Sequence, residues 1–83
     1  MLLIRLPEIK SFALQRKTKR IPTDTLMAEV TVPVEINQQF EFQTYPSTLP
    51  EGESPFEQFT CQEVTKIYHD GAFFYAIKAQ GAF

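Results

Sequence analysis

The sequence predicts an all-β fold in which a few short strands form one small barrel. Three observations favour this class. An Asp-Gly pair at residues 70–71 separates two apolar runs, which is typical of a two-residue β-hairpin turn. Residues 25–34 alternate between apolar and polar side chains, as half-buried strands do. Six prolines interrupt the chain, and helical periodicity is hard to find between them.

The hairpin around residues 70–71 predicts a definite strand register. With Asp70 and Gly71 as the turn, strands Phe59–His69 and Ala72–Gln80 pair so that compatible side chains lie opposite each other. The expected pairs are His69–Ala72, Tyr68–Phe73, Ile67–Phe74, Lys66–Tyr75, Thr65–Ala76, Val64–Ile77 and Glu63–Lys78. A slip of one residue would disrupt all of them. Both faces are apolar, so we expect each to be covered, and a second copy of the chain is one candidate cover.

Three further strands follow from the pattern. In Thr25–Val34, one face carries Leu26, Ala28, Val30, Val32 and Val34; in Ile36–Tyr45, one face carries Ile36, Gln38, Phe40 and Phe42. The first strand spans Leu2–Leu14 and is expected to bend or bulge at Pro7. A short helix over Ile9–Lys17 is the alternative, since this stretch contains good helix formers.

Five strands in a domain spanning residues 1–83 fit a small antiparallel barrel of OB-like type. An SH3-like barrel, or a curved sheet with one short helix, remains the alternative.

Positive charge is concentrated at the start of the chain. Residues 1–20 contain six Lys or Arg residues and one carboxylate. Residues 21–83 contain two Lys residues and nine carboxylates. Four of the six, Arg16, Lys17, Lys19 and Arg20, lie in one predicted loop between strands. Cations projecting from such a loop can neutralise phosphates of a nucleic acid. Alternatively, the loop is simply solvated, or it contacts the acidic, proline-rich loop 46–55.

Aromatic side chains provide a second candidate feature. Proteins that bind single strands combine basic grooves with aromatic faces on which bases stack. Tyr45, Tyr68, Phe73 and Tyr75 are the candidates, because they lie on or next to strands that also carry polar residues. The competing interpretation is that these aromatics belong to the core or to an oligomer contact.

Catalytic and metal chemistry find little support in the sequence. The single cysteine, Cys61, allows no intrachain disulfide and suggests a reducing, cytoplasmic compartment. His69 is the one histidine, so a zinc site is not expected. We expect no enzyme activity and no cofactor. The apolar start is too short for a signal-peptide core, and no run approaches the length of a membrane span.

Three features of the layout occur together along the chain. A first strand is followed by the basic stretch 15–20, Pro22 opens an amphipathic strand, and a Leu-Pro-Glu-Gly sequence at 49–52 comes after Gln39–Phe42. This layout resembles that of the single-stranded DNA-binding (helix-destabilising) proteins of filamentous bacteriophages. The chain departs from the family at Thr23, where an aromatic is common, and in lacking a glycine in the basic stretch. The resemblance implies a dimeric OB-like domain that coats phage DNA during replication, with residues 16–20 as its DNA-binding wing and the hairpin at 64–77 in the dimer contact.

The sequence therefore predicts a non-enzymatic, homodimeric binder of single-stranded DNA or RNA in the cytoplasm, that of the host cell if the protein is viral. The alternative is a protein-interaction module, such as a phage-type inhibitor or a small subunit of a larger complex, with a protein as its partner.

Overall fold

The computed structural model describes residues 2–45, 52 and 54–81. Six strands and one 3₁₀ turn lie within these residues. The strands are β1 (Leu2–Ile4), β2 (Ile9–Gln15), β3 (Thr25–Val30), β4 (Gln39–Gln43), β5 (Phe56–His69) and β6 (Ala72–Gly81), and the 3₁₀ turn is Leu6–Glu8. In this part of the chain, no helix is long and apolar enough to cross a membrane.

The strands form one mixed sheet in the order β1-β4-β5-β6-β3-β2. The sheet curls into a half-barrel, and the ring of Phe12 on β2 meets that of Phe42 on β4 at a centroid distance of 5.2 Å. The predicted all-β, barrel-like class is confirmed. The strand count is six rather than five, and β1 pairs with β4 in parallel whereas the other pairs are antiparallel.

The additional strand arises because the expected strand Leu2–Leu14 is divided at Pro7. Pro7 lies in the 3₁₀ turn, where the backbone N–H of Glu8 donates to the Arg5 carbonyl at 2.8 Å. The Glu8 carboxylate accepts the Arg5 N–H at 3.0 Å, which satisfies the polar groups of the turn. β1 and β2 therefore occupy opposite edges of the sheet. The alternative helix over 9–17 does not form, since 9–15 is β2.

The hairpin is confirmed with the predicted register throughout its seven expected pairs. Asp70 and Gly71 both adopt positive φ, +50° and +79°, as a type I′ turn requires. β5 begins at Phe56 rather than Phe59, and a bulge lies between Cys61 and Glu63. Because of this bulge, Phe59, Cys61 and Val64 all face the barrel interior.

The interior is built from the apolar faces that alternation predicted. Leu26, Ala28 and Val30 of β3 are buried, as are Phe40 and Phe42 of β4. Phe59, Ile4, Val34, Cys61, Ile77 and Ala79 complete the buried apolar set. β3 and β4 are shorter than predicted. The chain leaves the sheet after Val30, and a turn over 35–38 with Asn37 at φ +71° precedes Gln39.

Candidate nucleic-acid interface

The predicted basic residues lie in the loop 16–24, which connects β2 to its neighbour β3. The loop leaves the sheet at the end where Gln15, Thr25 and Gln80 lie side by side. Its backbone is held locally: the Thr18 hydroxyl accepts the N–H groups of Arg20 and Ile21 at 3.2 and 3.1 Å, and the Thr18 N–H donates to the Ile21 carbonyl at 2.8 Å. A compact turn therefore presents residues 17–20.

Arg16 is held by carboxylates of the protein itself. Its guanidinium donates to both carboxylate oxygens of Glu57 on β5, at 2.5 and 3.0 Å, and to Oδ2 of Asp24 at 3.0 Å. Thr44 adds a hydroxyl hydrogen bond of 2.6 Å to Glu57. The four side chains form a polar cluster, the Arg16 cluster, which ties β2, β3 and β5 together at this end of the half-barrel.

The Arg16 cluster shifts the pKa values of its members. The Arg16 hydrogen bonds hold the pKa of the Glu57 carboxyl below its usual range, against the effect of burial. The pKa of Asp24 is also lowered, first by the backbone N–H of Lys17, which donates at 2.7 Å, and then by Arg16. Glu57 and Asp24 raise the pKa of Arg16. Arg16 therefore has a structural role, and the carboxylates of Asp24 and Glu57 compensate its positive charge.

Lys17, Lys19 and Arg20 differ from Arg16 in this respect. All three are exposed, and among the described residues none forms an ion pair. We call these three residues the basic tip. Three cations within four positions, without a carboxylate partner in the described structure, form a surface that can take an anion.

Two of the predicted aromatics are exposed at the end of the hairpin. The side chains of Tyr68 and Phe73 are 64% and 51% exposed, and their rings meet edge to face at 4.9 Å. The Lys66 ammonium lies 4.3 Å from the centroid of the Phe73 ring, within cation–π range. We call Lys66, Tyr68 and Phe73 the aromatic tip. Within one chain, this end of the hairpin is therefore uncovered.

The other two aromatics have different surroundings. Tyr75 is half-buried and packs against the core, so little of its ring is available for stacking. Tyr45 is exposed and follows β4, whose last residue, Gln43, pairs with Phe56 next to Glu57 of the Arg16 cluster. Tyr45 therefore lies at the same end of the barrel as the basic loop.

The basic tip and the aromatic tip lie at opposite ends of the sheet. Gln80 of β6 pairs with Thr25 beside the basic loop, whereas Tyr75 pairs with Val30 toward the hairpin turn. Phe73 is seven residues along β6 from Gln80, which corresponds to about 23 Å of strand. The structure thus groups Tyr45 with the basic loop and separates Tyr68, Phe73 and Tyr75 from it.

Several structural features were not predicted from the sequence. Glu57 is 41 residues from Arg16, and no local pattern pairs them. The Lys10 ammonium lies 4.6 Å from the centroid of the Phe74 ring on the outer sheet face. The same face carries a shallow depression of about 330 Å³, whose lining includes Ser11, Ala13, Met27, Glu29 and Ala76. Asp24 was the one partner with a local signal, since it lies at the other end of the same loop as Arg16.

Comparisons of the chain with protein-family models, with curated proteins and with solved structures found no match. Its function is therefore inferred from the geometry of the basic tip, the aromatic tip and the sheet that separates them.

Proposed function

We propose that the protein binds single-stranded nucleic acid and catalyses no reaction. The observation that carries this proposal is the basic tip, where Lys17, Lys19 and Arg20 are exposed and form no ion pair with any described residue. Arg16, which the sequence grouped with them, has a supporting role, because its hydrogen bonds to Asp24 and Glu57 fix the base of the loop.

Phosphate binding by the basic tip has a predictable salt dependence. Each phosphate neutralised on a single strand contributes about −0.7 to the slope of log affinity against log salt concentration. Three contacts give a slope of about −2. The rest of the chain is acidic, so it repels a polyanion and keeps binding weak at moderate salt.

Base stacking on the aromatic tip is the second part of the proposal. Tyr68 and Phe73 present exposed ring surface, and such stacking contributes about 1–3 kcal/mol per base. The strand length between the two tips is about 23 Å. A single strand of about 4–16 nucleotides, the range bound by small β-barrels, is long enough to reach both.

The proposal also includes a homodimeric state and a cytoplasmic location, as expected from the sequence. If the resemblance to the filamentous-phage proteins reflects ancestry, the ligand is single-stranded DNA and the process is phage DNA replication. DNA and RNA oligonucleotides of equal length and base sequence should be compared directly.

The test is a fluorescence-anisotropy titration of labelled oligonucleotides at several salt concentrations. The variant Lys17→Glu/Lys19→Glu/Arg20→Glu should lose binding at low salt. A matched control, Arg5→Glu/Lys10→Glu/Lys78→Glu, makes the same change in net charge elsewhere and should bind far better than the basic-tip variant. No binding by the parent protein at low salt, or equal losses in both variants, would contradict the proposal.

A protein-interaction module is the second candidate function. The observation that favours it is exposed apolar surface: Met27 is 59% exposed beside the outer-face depression, and the aromatic tip is open. An inhibitor or small subunit would use such a surface against a protein. A stoichiometric, nuclease-resistant protein partner whose binding is lost on Met27→Lys, in a chain that binds no oligonucleotide, would favour this candidate.

A further inference from the structure

Strand β2 (Ile9–Gln15) lies at one edge of the sheet, with β3 as its neighbour on the other side. In the part of the chain that the structure describes, no backbone group pairs with the open edge of β2. An edge strand presents a row of N–H and C=O groups that can accept another strand. The open edge of β2 is therefore a site for strand addition.

The usual protection of an edge strand is weak here. Ser11–Gln15 contains neither a charge nor a proline. Lys10, the charged residue of β2, lies at a bulge, and its ammonium is directed to the Phe74 ring. Phe12 contacts the buried Phe42, yet 39% of its surface remains exposed, because the curled sheet stays open beside it. Natural edge strands are normally protected by lysines, prolines or bulges, and β2 carries its lysine and its bulge only at the Ile9–Ser11 end, so the rest of the strand lacks them.

We propose that the open edge of β2 pairs with β2 of a second copy, antiparallel and centred on Phe12. This register places Phe12 opposite its own counterpart and Ser11 opposite Ala13 of the second copy. In this register Lys10, the charged residue of β2, lies opposite the apolar Leu14 of the second copy, so no like charges oppose each other within the strand pair. A register centred on Ala13 would instead place Lys10 opposite Arg16, which lies beyond the end of the strand.

The second copy also changes the layout of the proposed binding surface, a consequence that rests on the proposed function. β2 runs from the end of the sheet near the aromatic tip, where Ile9 pairs with Val30, to the basic loop after Gln15. Antiparallel pairing therefore brings the basic tip of one copy to the end that carries the aromatic tip of the other. Phosphate contacts and stacking surface, which lie at opposite ends of one chain, become neighbours in the dimer.

The oligomeric state tests the dimer without any nucleic acid. Sedimentation velocity of the parent protein, over a concentration series reaching the high micromolar range, should show a species of twice the 9.6 kDa chain mass. The variant Ser11→Lys/Ala13→Lys places lysines opposite each other across the pair and should sediment as a monomer. The control Gln62→Lys/Thr65→Lys adds the same charge at exposed positions of the central strand β5 and should remain dimeric.

A second variant tests the register. Ser11→Lys/Ala13→Glu places each lysine opposite a glutamate of the other copy only when the pair is centred on Phe12, so it should remain dimeric. Centred on Ala13, the two glutamates would oppose each other and the dimer would dissociate. A monomeric parent protein, or dimers that survive Ser11→Lys/Ala13→Lys, would overturn the inference.

Oligonucleotide titration separates the failure of this inference from that of the proposed function. A dimer that passes both sedimentation tests but binds no oligonucleotide contradicts the proposed function alone. Binding by a chain that is monomeric throughout contradicts the dimer alone. If both hold, Ser11→Lys/Ala13→Lys should bind more weakly than Gln62→Lys/Thr65→Lys, although both variants gain the same positive charge.

Discussion

Arg16 and Glu57 form a two-point ion pair, at 2.5 and 3.0 Å, between the end of β2 and the beginning of β5. The pair spans 41 residues of sequence and joins the beginning of the basic loop to β5, three positions away from β2 in the strand order. Because of this pair, Arg16 supports the loop. The other three cations of the loop, Lys17, Lys19 and Arg20, remain exposed.

We expect Arg16→Ala to lower the free energy of unfolding by about 1 kcal/mol. A charge-assisted, two-point hydrogen bond is worth more than that when buried, but the Arg16 side chain is 49% exposed and solvent weakens the pair. Urea denaturation at neutral pH measures the change. A double-mutant cycle with Glu57→Gln should give a coupling energy of similar size, and additive effects would show that the contact contributes little. The free energy of unfolding of Arg16→Lys should lie between those of the parent protein and Arg16→Ala. A lysine ammonium cannot reproduce the two hydrogen bonds that the planar guanidinium donates to Glu57.

The stability of the fold should fall as the pH drops below about 5. The pKa values of Asp24 and Glu57 are lowered in the folded protein. Both groups therefore bind protons more readily in the unfolded chain, and the stability they contribute is present above their ordinary values near 4. It is lost progressively as the pH falls through the folded-state values.

The variant Arg16→Ala distinguishes the contribution of Glu57 to this pH dependence from that of Asp24. The lowered pKa of Glu57 depends first on Arg16, whereas that of Asp24 depends first on the Lys17 backbone N–H. The variant should therefore keep part of the acid sensitivity, and Arg16→Ala/Asp24→Asn should keep less. Urea midpoints between pH 3 and pH 7 measure both variants. An unchanged slope in Arg16→Ala would show that Glu57 gains nothing from the guanidinium.

Gly71→Ala should destabilise the hairpin by about 1 kcal/mol. Gly71 has φ +79°, a region that side-chain-bearing residues rarely adopt, although a Cβ there would meet no atom within 4 Å. The free-energy cost of Gly71→Ala thus comes from the backbone conformation and not from a steric clash. Gly71→Asn should cost less, since asparagine tolerates this region better. Thermal unfolding of the two variants compares them, and equal losses would contradict the explanation.

Phe73→Ala should weaken oligonucleotide binding while leaving the fold nearly intact. Its ring is half-exposed and contacts Tyr68 and Lys66 at the aromatic tip. Loss of one stacking partner corresponds to about 1–3 kcal/mol of binding free energy. Anisotropy titration and urea denaturation should be measured on the same samples.

Phe40→Ala provides the contrast to Phe73→Ala. Phe40 is fully buried, and truncation of a core phenylalanine costs about 3–5 kcal/mol of unfolding free energy. A change in stability for Phe73→Ala close to that of Phe40→Ala would show that the aromatic tip belongs to the core rather than to a binding surface.

The local pattern of the chain determined the hairpin turn and the register of the seven residue pairs nearest to it. Asp70-Gly71 fixes the turn, and a period of two then fixes each partner from Glu63–Lys78 to His69–Ala72. Alternation likewise identified the buried faces of β3 and β4, because adjacent side chains on a strand must point to opposite sides. The concentration of cations in residues 16–20 is also a property of the sequence alone.

Only the tertiary structure decided which of these residues can act together. The Arg16–Glu57 pair and the distance between the basic and aromatic tips depend on strand order, which the sequence pattern does not encode. The sequence indicated an interruption at Pro7, but the placement of β1 and β2 at opposite edges, which leaves β2 open, likewise depends on how the sheet closes. Period and turn chemistry act between neighbours along the chain, whereas strand order is set by the packing of the whole core.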